Sequence, residues 1–373
     1  MSILEENLPI LTNEIATTKL RDFFREKPFV VFGTGMSCAL DSRFGMDALK
    51  DNLIETMKTC SMIDKQKAEW AQVVATLKTG SDLENALNSV TDPGLLDILT
   101  TLTASFVAIL NKEYSKKIAK GDADWPAIHL LQKIIDGLSG SDKVLHVLTP
   151  NYDMLFEYAC GFSGIPYSDG FFGGVERRLD WASVAQAFLE TIPVYTRSRR
   201  KQKYQIKPHI CLYKVHGSLN YFFYHDAVIA NDSWINDPPD FALRVMVTPG
   251  TLKHRTLQKY RQELLKKADS EIDKSARFLF LGYGFNDIHL EEYIQRKIVS
   301  QSCHGLIITR DSNARIEKLL SESSNFWLVC KTSNEQDEEG TSIVNKQYGG
   351  ALFLSKKNLW NVTEFTSTIL GGQ

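Results

Sequence analysis

The stretch KVLHVLTPNYDMLFEYA, residues 143–159, decides the fold. A short apolar run rich in Val and Leu gives way to the polar Asn151, Tyr152 and Asp153, and an amphipathic segment follows at once. The length and composition of the run favour a strand buried on both faces over a helix. Similar runs recur, each ending in Gly or small polar residues: PFVVFGTG at 28–35, LYKVHGS at 212–218, RFLFLGYGFND at 277–287, HGLIITRD at 304–311 and NFWLVC at 325–330. Helical patterns lie between several of them, as at 287–299 and 313–323. Strand, helix, strand, helix predicts an α/β, Rossmann-like parallel sheet with helices on both faces.

Between the first two strand runs, residues 47–140 show no comparable strand and read as successive amphipathic helices: KQKAEWAQVVATLK, SDLENALNSV, GLLDILTTLTASFVAILNKEYSKKI and WPAIHLLQKIIDGL. The expected organisation is therefore a Rossmann-like nucleotide-binding domain over 1–46 and 141–373, with an inserted helical subdomain over 47–140. Two further segments stand out. TRSRRKQKYQIK, 196–207, is basic and reads as a solvated hairpin or loop in preference to a nucleic-acid site, whereas SNEQDEEGTSIVNKQYGG, 333–350, is polar and acidic and is expected to be a mobile loop.

The 373 residues with 43% hydrophobic content suffice for a large core. Forty-three Lys plus Arg balance forty-five Asp plus Glu, so no whole-molecule basic field points to nucleic acid. Six cysteines, Cys38, Cys60, Cys160, Cys211, Cys303 and Cys330, include no C-x-x-C pair, which argues against a zinc or redox site and fits a reducing cytoplasm. The acidic N-terminal stretch does not resemble a secretory signal, and no run approaches the roughly 20 apolar residues of a membrane span. The expectation is a cytoplasmic protein with no membrane segment.

Four strand ends carry chemistry. After the first strand, Gly33 and Gly35 flank Thr34, with Ser37 close behind; such a loop lets backbone approach a phosphate, and a following helix would add its dipole, although a tight ligand-free turn has the same signature. A redox dinucleotide fingerprint would place a third Gly where Cys38 stands, which disfavours a dehydrogenase. After the second strand, Asn151 can hold a sugar hydroxyl or a water, and Asp153 can do the same or cap the next helix. The third ends in His216 and Gly217, an imidazole suited to proton transfer beside a residue that leaves room for a ligand. The fourth supplies Gly282, Tyr283, Gly284 and Asp287, a second small-residue turn able to admit a nucleotide.

In this order, Gly33-Thr34-Gly35-Met36-Ser37, Thr149-Pro150-Asn151-Tyr152-Asp153, His216-Gly217 and Gly282-Tyr283-Gly284 resemble the motifs of the sirtuin-like superfamily of NAD-consuming proteins. The bacterial branch, many of whose members act in anti-phage defence, is the most similar. The resemblance implies that Gly33, Thr34, Gly35, Ser37, Gly217, Gly282, Tyr283, Gly284 and Asp287 hold NAD, and that Asn151, His216 and Asp153 are catalytic. The paired zinc-binding cysteines of the deacylases are missing, and SCALDSRFGMDAL stands where deacylases carry another loop, so the resemblance implies NAD glycohydrolysis to ADP-ribose and nicotinamide, without zinc. It further implies a homo-oligomer assembled with a HerA-type ATPase, with DNA contact through that complex. The alternatives are a non-catalytic subunit sensing NAD or ADP-ribose, and a DNA-processing subunit of the same complex.

Overall fold

A computed structural model describes residues 8–139, 143–196, 199–246, 255–286, 293–298 and 303–371. From the N-terminus the chain forms α1 (Asn13–Phe23), β1 (Phe29–Phe32), α2 (Gly35–Cys38), α3 (Met46–Thr56), α4 (Asp64–Lys78), α5 (Leu83–Leu87), α6 (Pro93–Lys120) and α7 (Ile128–Asp136). There follow β2 (Val144–Thr149), α8 (Leu155–Phe162), β3 (Tyr167–Ser168), β4 (Phe171–Gly173), β5 (Arg177–Leu179), α9 (Trp181–Ala187), β6 (Leu189–Thr196), β7 (Arg199–Ile206), β8 (His209–Lys214), β9 (Gly217–Tyr224), β10 (Ala227–Ala230) and β11 (Leu243–Met246). The C-terminal part contains α10 (Arg255–Lys274), β12 (Arg277–Leu281), α11 (293–298), β13 (His304–Thr309), α12 (Ala314–Glu322), β14 (Phe326–Ser333), β15 (Glu339–Val344), β16 (Leu352–Ser355) and α13 (Val362–Ile369).

The principal sheet has the order β16-β15-β14-β13-β12-β1-β2-β8-β3, parallel from β14 to β3 and antiparallel at β15 and β16. Alternation along each strand feeds two cores: Val30 and Phe32 of β1 enter one with Val147 and Leu281, while Phe29 and Val31 enter the other with Leu148 and Phe280. Helices α1, α7, α8 and α13 supply the first core, and α10, α11 and α12 the second. This is the α/β sheet, covered on both faces, that the strand runs predict. The chain moves from β1 to β2 on one side and returns to β12 on the other, so β1 marks a topological switch point.

Between β1 and β2 the described chain is helical. Helices α3, α4, α5 and the first half of α6 share a core of their own around Leu53, Trp70, Leu87 and Leu95, whereas the second half of α6, through Leu110, Tyr114 and Ile118, packs into the main core. Local signals set the ends of α6: the Asp92 side chain accepts from the Leu95 amide, Pro93 opens the first turn, and Gly121 closes the helix at φ 75°. By length and composition α6 could cross a membrane, contrary to the expectation from sequence that no run is apolar enough; it carries one long apolar window because its residues serve two cores instead of one, while its C-terminal third bears Lys112, Glu113, Lys116, Lys117 and Lys120.

A second sheet, β11-β9-β10-β5-β4, is antiparallel, and β6 and β7 pair as a separate hairpin that contains the basic segment. The acidic segment departs from the mobile loop expected of it. Asn334 Oδ1 accepts from the amides of Gln336 and Glu338 to shape a turn, and β15 then pairs with β14 and β16, burying Thr341 and Ile343. Acidic residues cluster at the turn, and the apolar half of the segment is a strand.

Candidate functional site

The four motif-bearing strands are adjacent and parallel in the order β12-β1-β2-β8. Their carboxyl ends therefore share one edge, where open parallel sheets bind ligands. Phe32 pairs with Leu281, so the glycine loop after β1 lies against the one after β12. The Gly35 amide donates to the Gly282 carbonyl at 3.0 Å. A Cβ on Gly33 or Gly35 would stand 2.7 Å from the Gly282 oxygen, and one on Gly282, whose φ is +52°, would stand 2.9 Å from the Gly35 backbone.

These contacts revise the sequence reading of the loop. The amides of Gly33, Gly35 and Met36 donate to the carbonyls of Leu281, Gly282 and Gly33, so they do not form an open row of donors. Helix α2 is a single turn, too short to supply the dipole expected of a following helix. Packing of one loop on the other accounts for the glycines. Thr34 is exposed at the tip, Tyr283 is buried against Phe280 and Phe285, and Gly284 is held through its carbonyl by Asn313 Nδ2 at 2.8 Å. Asp287 lies outside the described residues.

Polar side chains converge beneath this loop. Asn151 Nδ2 donates to the Gly33 carbonyl at 3.2 Å and to Ser37 Oγ at 3.3 Å, and Ser37 Oγ donates to Asp153 Oδ2 at 2.8 Å. Because a carbonyl only accepts, the Gly33 contact orients the Asn151 amide. Asn151 Oδ1 is then buried with no hydrogen-bond partner among the described residues. Asp153 Oδ1 also accepts from the Leu155 amide at the start of α8, which is the capping alternative. Burial pushes its carboxyl above the ordinary range, opposed by the Lys214 charge and the Ser37 bond. Cys38, beside the same loop, is pushed up to about 11, chiefly by burial and then by the Asp153 charge.

Thr149 pairs with Lys214 across β2 and β8, which sets Asn151 and His216 each two residues beyond that pair at neighbouring strand ends. The strand stops at Lys214, so His216 stands in the turn that enters β9, half-buried. Gly217, at φ +85°, packs so tightly on the Val245 carbonyl that a side chain would collide with it. The Leu219 amide donates to the Tyr152 carbonyl at 3.0 Å and ties this turn to the Asn151 loop.

Sequence reasoning passed over Lys214 and Glu157. Lys214, 1% exposed, donates from Nζ to Glu157 Oε1 at 2.7 Å and to the Asp153 carbonyl at 2.5 Å. This buried cation pins the backbone between Asn151 and α8. Its signal was a Lys inside an otherwise apolar strand run, since such a charge is buried only when paired. Asn313, which also caps α12, and Arg315, which donates to the Phe285 carbonyl at 2.6 Å, were missed as well.

Comparison with known proteins follows the same geometry. Residues 145–328 match the model of the SIR2-like domain. The chain carries a SIR2-like domain. The match takes in Asn151, Asp153, His216 and Gly282, while the Gly33 loop lies outside it and joins the site through the Asn151 and Ser37 bonds. One solved structure, described as "Structural Basis for the Mechanism and Regulation of Sir2 Enzymes", aligns at 12% identity over 83% of this chain and 92% of that chain with a TM-score of 0.40, a likeness that bears no weight by itself. No curated protein matches. The SIR2-like domain fits an NAD-dependent activity in general.

Proposed function

We propose that the protein hydrolyses NAD at the bond between nicotinamide and ribose. Nicotinamide leaves with the bonding electron pair, water supplies the hydroxyl that ends on the anomeric carbon, and one proton passes to solvent. The observation that carries the reading is Asn151 Oδ1, an oriented, buried acceptor at the carboxyl end of β2 that has no partner among the described residues. A ribose hydroxyl or the attacking water would satisfy it. His216, at the adjacent strand end, takes the proton from that water. Ser37 and Asp153 keep the Asn151 amide turned, and Gly33, Thr34, Gly35, Gly217, Gly282, Tyr283 and Gly284 form the walls against which the nucleotide lies. The SIR2-like domain supports NAD as the substrate.

The motif resemblance extends the proposal to a cytoplasmic anti-phage effector that depletes NAD as a homo-oligomer with a HerA-type ATPase, touching DNA through that complex. Purified protein, alone and with such an ATPase, is incubated with NAD while nicotinamide and ADP-ribose are quantified. Equal release of both products, reduced about 10² to 10⁴-fold in His216→Ala, is expected. Binding of NAD without release under either condition would replace the hydrolase with a sensor.

A further inference from the structure

A second candidate site lies away from the strand ends. A cavity of about 430 Å³ opens on the face of the sheet over β2, β8 and the short β3, roofed by α9 and flanked by α10. Its size is that of a small-molecule site. Two lining residues carry poorly satisfied polar atoms: Trp181 Nε1 is buried without a hydrogen-bond partner among the described residues, and Ser168 Oγ has no partner there beyond the Cys211 thiol. Ser168 is 8% exposed and faces Cys211 across the β3–β8 pairing, where a thiol offers only a weak bond. A buried hydroxyl and a buried indole N–H left unpaired are costly, and a ligand or ordered water resolves them.

The lining sets the ligand chemistry. The Trp181 ring tilts on Tyr213 at 5.7 Å between centroids, and Val184 and Leu189 add apolar wall. Charge is compensated: Glu271 Oε2 is 3.5 Å from His146 Nε2, Glu271 Oε1 is 2.9 Å from Lys274 Nζ, and Lys267 Nζ lies 5.9 Å above the Trp181 ring. His146 Nδ1 faces the Tyr213 hydroxyl at 3.0 Å, and His209 Nδ1 faces the Lys207 carbonyl at 2.8 Å, which makes Nδ1 the donor and leaves Nε2 of that ring an acceptor. Aromatic walls, unused donors, an imidazole acceptor and no net charge together select a flat, neutral, hydrogen-bonding molecule.

We propose that this cavity binds an uncharged planar nitrogen heterocycle, of the kind represented by a nucleobase, which accepts from Trp181 Nε1 and bonds to Ser168 Oγ. No lining residue belongs to the four strand ends, so the inference is independent of NAD cleavage. Adenine and uracil are titrated into the full-length protein by calorimetry, beside Ser168→Ala and Ala185→Phe, the latter filling the cavity from α9. Binding at roughly millimolar strength or tighter is expected for at least one base. Ser168→Ala should weaken it about fivefold to tenfold with little change in melting temperature, because the hydroxyl has only the weak bond to the Cys211 thiol to lose. Ala185→Phe should abolish it. No heat from either base at about 10 mM, or heat left unchanged by both variants, overturns the proposal.

Discussion

Replacing Lys214 with Met tests how the Asn151 loop is held. The ammonium is 1% exposed and bonded to Glu157 Oε1 and the Asp153 carbonyl, with the Tyr152 carbonyl at 3.5 Å. Met fills similar volume but leaves the buried Glu157 carboxylate and two carbonyls without their donor. Removing one member of a buried pair costs about 3–5 kcal/mol, so urea denaturation at pH 7.5 should show a loss of that order. Lys214→Met with Glu157→Leu should recover most of it, because no buried charge remains. The sign of the pH dependence is set by Glu157, whose carboxyl burial already pushes up and which loses the opposing Lys214 charge in the single variant. A carboxyl with a raised native pKa binds its proton in the folded state first, so the variant is most stable at low pH and loses stability as pH rises through that pKa. The deficit should be smaller at pH 5 than at pH 8. A single variant as stable as the parent at pH 8, or a double variant no better than the single, would refute the reasoning.

Three further outcomes are expected. Gly282→Ala should cost about 2 kcal/mol or more in thermal denaturation, since the residue sits at φ +52° with the Gly35 backbone 2.9 Å from any Cβ; an unchanged melting temperature would mean the two loops do not touch. Cys38, with its thiol pushed up to about 11, should resist iodoacetamide at pH 8 and react as pH approaches 11, as peptide mass mapping would show; rapid labelling at pH 8 contradicts the burial assigned to it. Ser37→Ala removes the bridge between Asn151 and Asp153 and should lower NAD cleavage about tenfold or more through a fall in kcat; full activity would remove Ser37 from the positioning chain.

The parallel sheet was legible because its strands are short apolar runs buried on both faces, and the place of Asn151 and Asp153 just beyond the carboxyl end of β2 followed from where one such run stops. The contact of Gly33 and Gly35 with Gly282 was not, since it joins residues far apart in sequence and depends on strand order. The glycines could be read as a phosphate loop until the structure showed their amides spent on carbonyls. Lys214 was overlooked because its partners, Glu157 and the Asp153 carbonyl, meet it only once β8 lies beside β2. The segment 333–350 misled through composition: four acidic residues near one turn outweighed the pattern that makes the remainder β15. The cavity beneath α9 has no local signature, being assembled from three strands, two helices and a hairpin base.

In the proposed hydrolysis NAD supplies the partner that Asn151 Oδ1 lacks among the described residues. Nicotinamide release and NAD affinity measured side by side for the parent protein and Asn151→Ala test it most directly. Release by the parent and a loss of about 10²-fold or more in the variant, with the fold intact by circular dichroism, are expected. Undiminished release from a folded Asn151→Ala protein would contradict it.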